Sequence, residues 1–156
     1  MIKTITAILI TALLGLASCK KSPNPGGSWT FQGVTYYISG CSAGSGGTLN
    51  ASNVDNNNAN TYSFGTLGLS FYQALPATAG TFTVVKYPPA ANQVAITTTN
   101  QNQVNYVSTG GSGMETVKVT IASNGFINVS GSGLEMSNAS GGTDSSALSI
   151  NITQTQ

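Results

Sequence analysis

The chain is 156 residues long, which suits a single domain with one core, and only 6% of its residues are charged. It contains no histidine, and this excludes Ser-His-Asp and Cys-His catalytic sites within the chain as well as zinc sites built from His and Cys. The two isolated lysines of the domain, Lys86 and Lys118, are too few to neutralise a nucleic-acid backbone, so nucleic acid is excluded as a partner.

The first 18 residues have the organisation of a secretory signal peptide. Lys3 provides the basic start, and an apolar run extends from Ile5 to Leu16, close to the about 7–15 residues of a signal-peptide core. This run is shorter than the about 20 residues that a membrane-spanning helix needs. Pro23 and Pro25 follow, and proline breaks a helix interior. Residues 1–18 are therefore predicted to be cleaved off.

The run closes on Leu16-Ala17-Ser18-Cys19, which resembles the lipobox of bacterial lipoproteins. The resemblance implies that the peptide is cut before Cys19, that the Cys19 thiol carries a diacylglycerol, and that its new amino group is acylated, for example with palmitate. Lys20 follows the cysteine in place of an aspartate, which favours the outer membrane and leaves the face of that membrane open. Each buried methylene adds about 0.8 kcal/mol, so several acyl chains would anchor the protein stably.

Residues 19–27 are predicted to form a short Pro/Gly tether, and residues 28–156 a single β domain. Beyond the tether, apolar residues alternate with Thr, Ser and Asn at a period of two, as in strands with one buried face. Nine or ten short strands with Gly/Asn turns predict an all-β fold, either an antiparallel β-sandwich or a partly closed barrel. No stretch after Cys19 has a helical stripe.

Two hairpins are predicted with their register. A two-residue Gln-Gly turn places Trp29 opposite Tyr36, an aromatic pair of the kind that stabilises neighbouring strands. A three-residue Ser-Asn-Gly loop ending at Gly125 places Ile121 opposite Ile127, with Gly125 in the left-handed conformation that such a loop needs. Further strands are predicted at 66–72, 81–87, 94–99, 104–108 and 147–153.

Cys41 is the only cysteine besides Cys19, so no internal disulfide is available once Cys19 is lipidated. One interpretation of Cys41 is a reactive or intermolecular thiol. The favoured interpretation is a small, partly buried apolar side chain, because free cysteines are among the most buried residues and no neighbour in sequence would lower the pKa of this thiol.

Glu115 and Glu135 are the acids closest to a catalytic arrangement. If the Ser-Asn-Gly hairpin continues in register, Glu115 faces Gly133, and Glu135 lies diagonally about 7–8 Å away, which is within the range of carboxylate pairs in glycoside hydrolysis. The favoured alternative is that Gly131 and Gly133 break the register and let both acids reach solvent. No catalytic residue is assigned, and the chain is not expected to be an enzyme.

The run from Asn53 to Asn58 offers oxygen ligands that could suit Ca²⁺. Only Asp55 among them is charged, and the closing glutamate of a calcium loop is missing. An exposed, solvated loop is favoured, and no metal or cofactor is predicted.

Three tyrosines, Tyr37, Tyr72 and Tyr87, have the opposite parity to their apolar neighbours and are predicted to point outward. Exposed tyrosines beside Asn and Gln are typical of a sugar-binding or protein-binding face. The alternative is single tyrosines scattered on a solvated sheet.

The layout as a whole resembles small lipoproteins of Bacteroidetes-type bacteria. The segment Trp29-Thr30-Phe31-Gln32-Gly33-Val34-Thr35-Tyr36 is similar to the hairpin that opens their mature domain, and Pro76 to Phe82 is similar to their Pro-x-x-x-Gly-Thr-Phe/Tyr element. The resemblance covers most of residues 28–153 and implies no functional residue beyond Cys19. The leading expectation is an outer-membrane-anchored binding or scaffold module for a neutral glycan or an envelope protein. The alternatives are a glycan-active enzyme using the two glutamates and an accessory subunit that pairs through an open sheet edge.

Overall fold

The computed structural model describes residues 26–54, 64–111 and 113–156, and these residues form eleven strands and no helix. The predicted signal peptide, Cys19 and most of the tether lie outside the described residues. Within the described ranges, no helix is long and apolar enough to cross a membrane. The strands are β1 (Gly27–Phe31), β2 (Val34–Tyr37), β3 (Gly40–Gly44), β4 (Thr48–Val54), β5 (Phe64–Phe71), β6 (Gly80–Val85), β7 (Gln93–Thr99), β8 (Asn105–Ser108), β9 (Thr116–Ile121), β10 (Ile127–Asn138) and β11 (Ser145–Thr153).

All eleven strands belong to one mostly antiparallel sheet with the order β2-β1-β11-β10-β9-β6-β7-β5-β4-β3. Strand β8 lies off this path and pairs with both β10 and β7. Strands β10, β9, β6, β7 and β8 therefore close a ring, from which β11-β1-β2 and β5-β4-β3 extend as two arms. The predicted all-β class is confirmed, and its form is a sheet that partly closes on itself.

The core contains the apolar residues that alternate along the strands, such as Leu67, Leu69 and Phe71 of β5, all of which are buried. The first predicted hairpin is confirmed, because Trp29 pairs with Tyr36 across β1 and β2. The two rings stack with their centroids 5.0 Å apart. Such aromatic pairs add about 0.5–1.5 kcal/mol beyond the area that they bury.

Gly65 makes room for this aromatic stack. A Cβ atom at position 65 would lie 2.5 Å from Cδ1 of Tyr36 and 3.1 Å from Cζ2 of Trp29. The Tyr36 hydroxyl accepts a hydrogen bond from the backbone N–H of Gln101, at 3.0 Å. Burial raises the pKa of Tyr36, and the hydrogen bond from Gln101 opposes that rise.

The second predicted hairpin is also confirmed, since Ile121 pairs with Ile127 and Gly125 has a φ of 83°. Regular pairing between β9 and β10 ends at Lys118 and Ser130 and does not continue to position 115. Beyond that point, the register of β10 against β11 shifts between Gly131 and Leu134. The favoured alternative for this region, a register break at the glycines, is therefore confirmed.

The parallel pairing of β6 with β7 departs from the antiparallel arrangement that the sequence predicts. Parallel strands usually need a crossover of about a dozen residues or more, but here residues 86–92 alone bring the chain back. Three hydrogen bonds hold this return loop: Thr83 N–H to the Asn92 carbonyl, Gln93 N–H to the Ala90 carbonyl, and Ala90 N–H to Oε1 of Gln93. The loop carries Tyr87 and the two prolines that follow it, and it thereby positions the site described next.

Candidate functional site

The three tyrosines predicted to point outward are all exposed: Tyr37 by 54%, Tyr72 by 50% and Tyr87 by 71%. The structure brings two of them together, because Tyr72 and Tyr87 line one groove. Tyr37 lies on β2 opposite Ser28 and does not line that groove. The predicted ligand face therefore resolves into one pair of tyrosines and one separate tyrosine.

We call the groove that Tyr72 and Tyr87 line the aromatic groove; its volume is about 400 Å³. Gln73 follows Tyr72 and donates a hydrogen bond from Nε2 to the Tyr72 hydroxyl, at 3.1 Å, which holds that hydroxyl in place. Amphipathic rings together with a few fixed polar groups are the usual composition of a small-molecule site. The groove is further lined by Ser45, Thr48, Ser70, Pro88 and Pro89.

The turn between β3 and β4 forms one wall of the aromatic groove. Gly46 and Gly47 in this turn have φ values of 68° and 79°, a region that favours glycine. The Gly47 carbonyl accepts a hydrogen bond from Phe71 N–H at 2.9 Å, and a Cβ atom on Gly47 would lie 2.8 Å from the backbone nitrogen of Ala74. Only glycine allows the turn to approach the end of β5 this closely.

A second depression lies on the outer face of β3, β4, β5 and β7, and we call it the polar trough. It has a volume of about 430 Å³ and is lined by side chains of Ser42, Asn50 and Thr97, with Gly68 between Asn50 and Thr97. This site was not predicted from the sequence. The signal for it was the placement of glycines at outward positions of strands that otherwise present Ser, Thr and Asn.

Hydrogen bonds connect Thr66, which lines one end of the polar trough, to two polar side chains beside it. Oγ1 of Thr66 donates to Oγ1 of Thr99 at 2.9 Å, and Oγ1 of Thr99 donates to Oδ1 of Asn105 at 2.8 Å. Among the described residues that line the aromatic groove and the polar trough, none has a charged side chain. The combined surface offers hydroxyl and amide groups that both donate and accept hydrogen bonds.

Glu115 and Glu135 lie next to each other, but not as the regular hairpin would place them. The backbone N–H of Glu135 donates to Oε2 of Glu115 at 3.1 Å, and Oε2 of Glu135 lies 3.5 Å from Oγ1 of Thr109. Glu135 is exposed and Glu115 is partly exposed. Glu115 also lines a depression of about 470 Å³ with Lys118 and Ser130, which we call the glutamate groove.

Cys41 is buried, and the favoured interpretation of it as a small core side chain is confirmed. Burial raises the pKa of its thiol to about 11. Thr155 bonds to the backbone of this residue: its backbone N–H and its Oγ1 both donate to the Cys41 carbonyl, at 2.7 and 3.1 Å, and Oγ1 accepts from Cys41 N–H at 3.0 Å. This contact ties the segment after β11 to the outer edge of β3.

The calcium interpretation concerns residues 53–58, of which 55–58 lie outside the described residues. Asn53 belongs to β4 and is buried. In the part of the chain that the structure covers, no three His, Cys, Asp or Glu residues lie close enough together to hold a metal ion.

Comparisons with protein-family models, with curated proteins and with solved structures found no match to this chain.

Proposed function

We propose that this chain is a non-enzymatic, lipid-anchored binding module of the bacterial outer membrane, and that it binds a neutral glycan in the aromatic groove. The observation that carries the proposal is the pair of exposed tyrosines, Tyr72 and Tyr87, that line one groove. The anchor rests on the lipobox-like Leu16-Ala17-Ser18-Cys19 alone.

The chemistry of the groove supports a sugar as the ligand. A sugar ring has an apolar C–H face that suits an aromatic ring, whose face is electron-rich. Its hydroxyls suit the groups that Ser45, Thr48 and Gln73 provide, since hydroxyl and amide groups both donate and accept hydrogen bonds. An acidic ligand would lose its hydration without gaining a cation, because no described lining residue is charged.

Glu115 and Glu135 have no catalytic role in this proposal. The Glu115 carboxylate accepts the backbone N–H of Glu135, an arrangement that holds the β10 bulge in place. Neither glutamate lines the aromatic groove or the polar trough. The other alternative, an accessory subunit that accepts a partner strand, would use β2, which has a single neighbour among the described strands.

The test begins with a glycan array carrying neutral and acidic polysaccharides, followed by calorimetric titration with the oligosaccharides that bind. Substituting Tyr72→Ala or Tyr87→Ala should weaken binding at least about tenfold, which corresponds to about 1.4 kcal/mol. Tyr37→Ala is the matched control, because Tyr37 is about as exposed as Tyr72 but lies outside the groove. The affinity of this variant for the oligosaccharide should stay within about twofold of the parent value.

The glycan proposal would be contradicted if no neutral polysaccharide on the array bound the protein. Equal losses of affinity in all three tyrosine variants would contradict it as well. The anchor is tested separately by mass spectrometry of the protein purified from membranes. We expect a chain that begins at Cys19 and carries diacylglycerol and an N-acyl group. An unmodified Cys19 with residues 1–18 still attached would contradict the lipoprotein assignment.

A further inference from the structure

The aromatic groove and the polar trough adjoin each other on one face of the sheet. Thr48 and Ser70, which line the groove, are cross-strand partners on β4 and β5. Asn50 and Gly68, which line the trough, are the next outward pair on the same two strands. Two residues along a strand span about 6.6–6.8 Å, so one depression continues directly into the other.

Glycine keeps the middle of this surface open. Gly68 lies between Asn50 on β4 and Thr97 on β7. A Cβ atom at position 68 would lie 2.7 Å from Oγ1 of Thr97 and 3.7 Å from Oδ1 of Asn50. A side chain there would fill the space between the two polar groups, so the trough depends on this glycine.

We propose that the ligand is a linear neutral polysaccharide that lies along β4 and β5, with one sugar unit in the aromatic groove and the following units in the polar trough. This inference rests on the proposed function and extends it to the length of the ligand. From Thr48 and Ser70 to Ser52 and Thr66, the outward pairs span four residue-to-residue steps along each strand, or about 13 Å. A single sugar ring in the groove would leave most of that surface empty.

One hydrogen-bonding group of the trough is held before any ligand arrives. Thr66 lines the trough and donates to Thr99, which in turn donates to Asn105 behind it, so the Thr66 hydroxyl has a fixed orientation. Fixed groups lower the ordering cost of binding. A peptide is a poorer fit to this surface, because an extended peptide gains its main-chain hydrogen bonds at a sheet edge and not on a sheet face.

The test is calorimetric titration of the purified protein with linear oligosaccharides of two to six units, from α-1,4-glucan, β-1,4-glucan, β-1,3-glucan, β-1,4-xylan and β-1,4-mannan. For the linkage that binds, we expect the dissociation constant to fall at least tenfold between the disaccharide and the hexasaccharide. Asn50→Ala and Thr97→Val should reduce this gain to less than threefold. Asn151→Ala is the matched control, since Asn151 is an exposed mid-strand asparagine on β11, outside both depressions.

Gly68→Ala is a further variant, which places a methyl group on the floor of the trough. It should also remove the increase in affinity from the disaccharide to the hexasaccharide. Its thermal unfolding, and the independent result for Asn50→Ala, separate a blocked trough from a damaged fold. A dissociation constant that does not change from two to six units would overturn the extended-chain inference and leave the glycan proposal standing. Failure of every hexasaccharide to bind would overturn both.

Discussion

The aromatic groove and the glutamate groove have similar volumes, about 400 and 470 Å³, but different chemistry. The first has Tyr72 and Tyr87 on its walls and no described charged residue. The second contains Glu115 and Lys118, and no aromatic residue among those that line it. Size therefore does not distinguish them as ligand sites. The aromatic groove is distinguished by exposed rings and by its continuation into the polar trough.

The two sites also differ in what their backbone geometry achieves. At the glutamate groove, the bulge of β10 brings the backbone N–H of Glu135 to the Glu115 carboxylate. The irregular backbone there is satisfied by a contact inside the protein. At the aromatic groove, the turn at Gly46 and Gly47 and the return loop at residues 86–92 leave two rings facing solvent. Irregular backbone that exposes side chains is the stronger indication of a binding site.

The largest expected effect separates the two grooves directly. The double variant Tyr72→Ala/Tyr87→Ala should lower affinity for the best-binding hexasaccharide at least about 100-fold, or about 2.7 kcal/mol. The double variant Glu115→Gln/Glu135→Gln should stay within about twofold, because neither side chain lines the proposed site. Calorimetry measures both. This expectation would be contradicted if the glutamine double variant bound the hexasaccharide more weakly, or if the parent protein cleaved a glycan and the glutamine double variant did not.

Alkaline pH tests the edge of the polar trough, where Cys41 is one of the lining residues. Burial raises the pKa of the folded thiol from 9.0 to about 11. Between pH 9 and pH 11 the Cys41 thiol is deprotonated in the unfolded chain but stays protonated in the folded one. The contribution of this thiol to the free energy of unfolding is therefore complete below pH 9 and is lost as the pH rises to 11. The loss is on the order of 2–3 kcal/mol.

Urea unfolding of the parent and of Cys41→Ala across this pH range isolates that contribution, because the tyrosines and lysines titrate in both proteins. The gap in unfolding free energy between them should narrow as the pH rises. Parallel curves would show that the Cys41 thiol is not buried as described.

Two glycines of β5 give a third contrast, since Gly65 faces the core and Gly68 faces the polar trough. Gly65→Ala should lower the free energy of unfolding by about 2 kcal/mol, because its Cβ atom would overlap the ring of Tyr36. Gly68→Ala should cost less than about 1 kcal/mol, because the neighbouring atom is an exposed threonine hydroxyl. Urea denaturation measures both values, and equal losses would contradict the assignment of the two faces.

The smallest effect is expected at the contact between Thr155 and the Cys41 backbone. Thr155→Val keeps the backbone hydrogen bond but removes the hydroxyl that bonds to Cys41 N–H, and should cost about 1 kcal/mol. The Cys41 thiol should react faster with a thiol reagent in this variant. Thr35→Val is the control, because its hydroxyl makes an exposed hydrogen bond to Thr30. An unchanged reaction rate in Thr155→Val would contradict our expectation that this contact protects the thiol.

The sequence predicts the parts of this fold that depend on neighbouring residues. Both hairpins are confirmed in register, because a tight turn fixes which residues face each other and the aromatic or β-branched pairs agree with it. The strand from Leu67 to Phe71 and the exposure of Tyr72 also follow from local alternation.

The parts that the sequence analysis missed depend on distant contacts. No strand was predicted at β3, which is a segment of Gly, Cys, Ser and Ala residues. Its outer edge pairs with Thr155, more than 100 residues away in sequence. The parallel pairing of β6 and β7 was not predicted either, because Pro88 and Pro89 indicate only that a strand ends there. The meeting of Tyr72 and Tyr87 follows from that return loop, so the site could not be assembled from parity alone.

A chemical-shift titration of the isotope-labelled protein with the hexasaccharide that binds best tests directly whether one glycan occupies the aromatic groove and the polar trough together. We expect the backbone amide signals of Tyr72, Asn50 and Gly68 to change their chemical shifts along the same saturation curve. The amides of Asn151 and Glu135 should stay unchanged. Shifts confined to the glutamate groove, or spread along the β2 edge, would contradict this expectation.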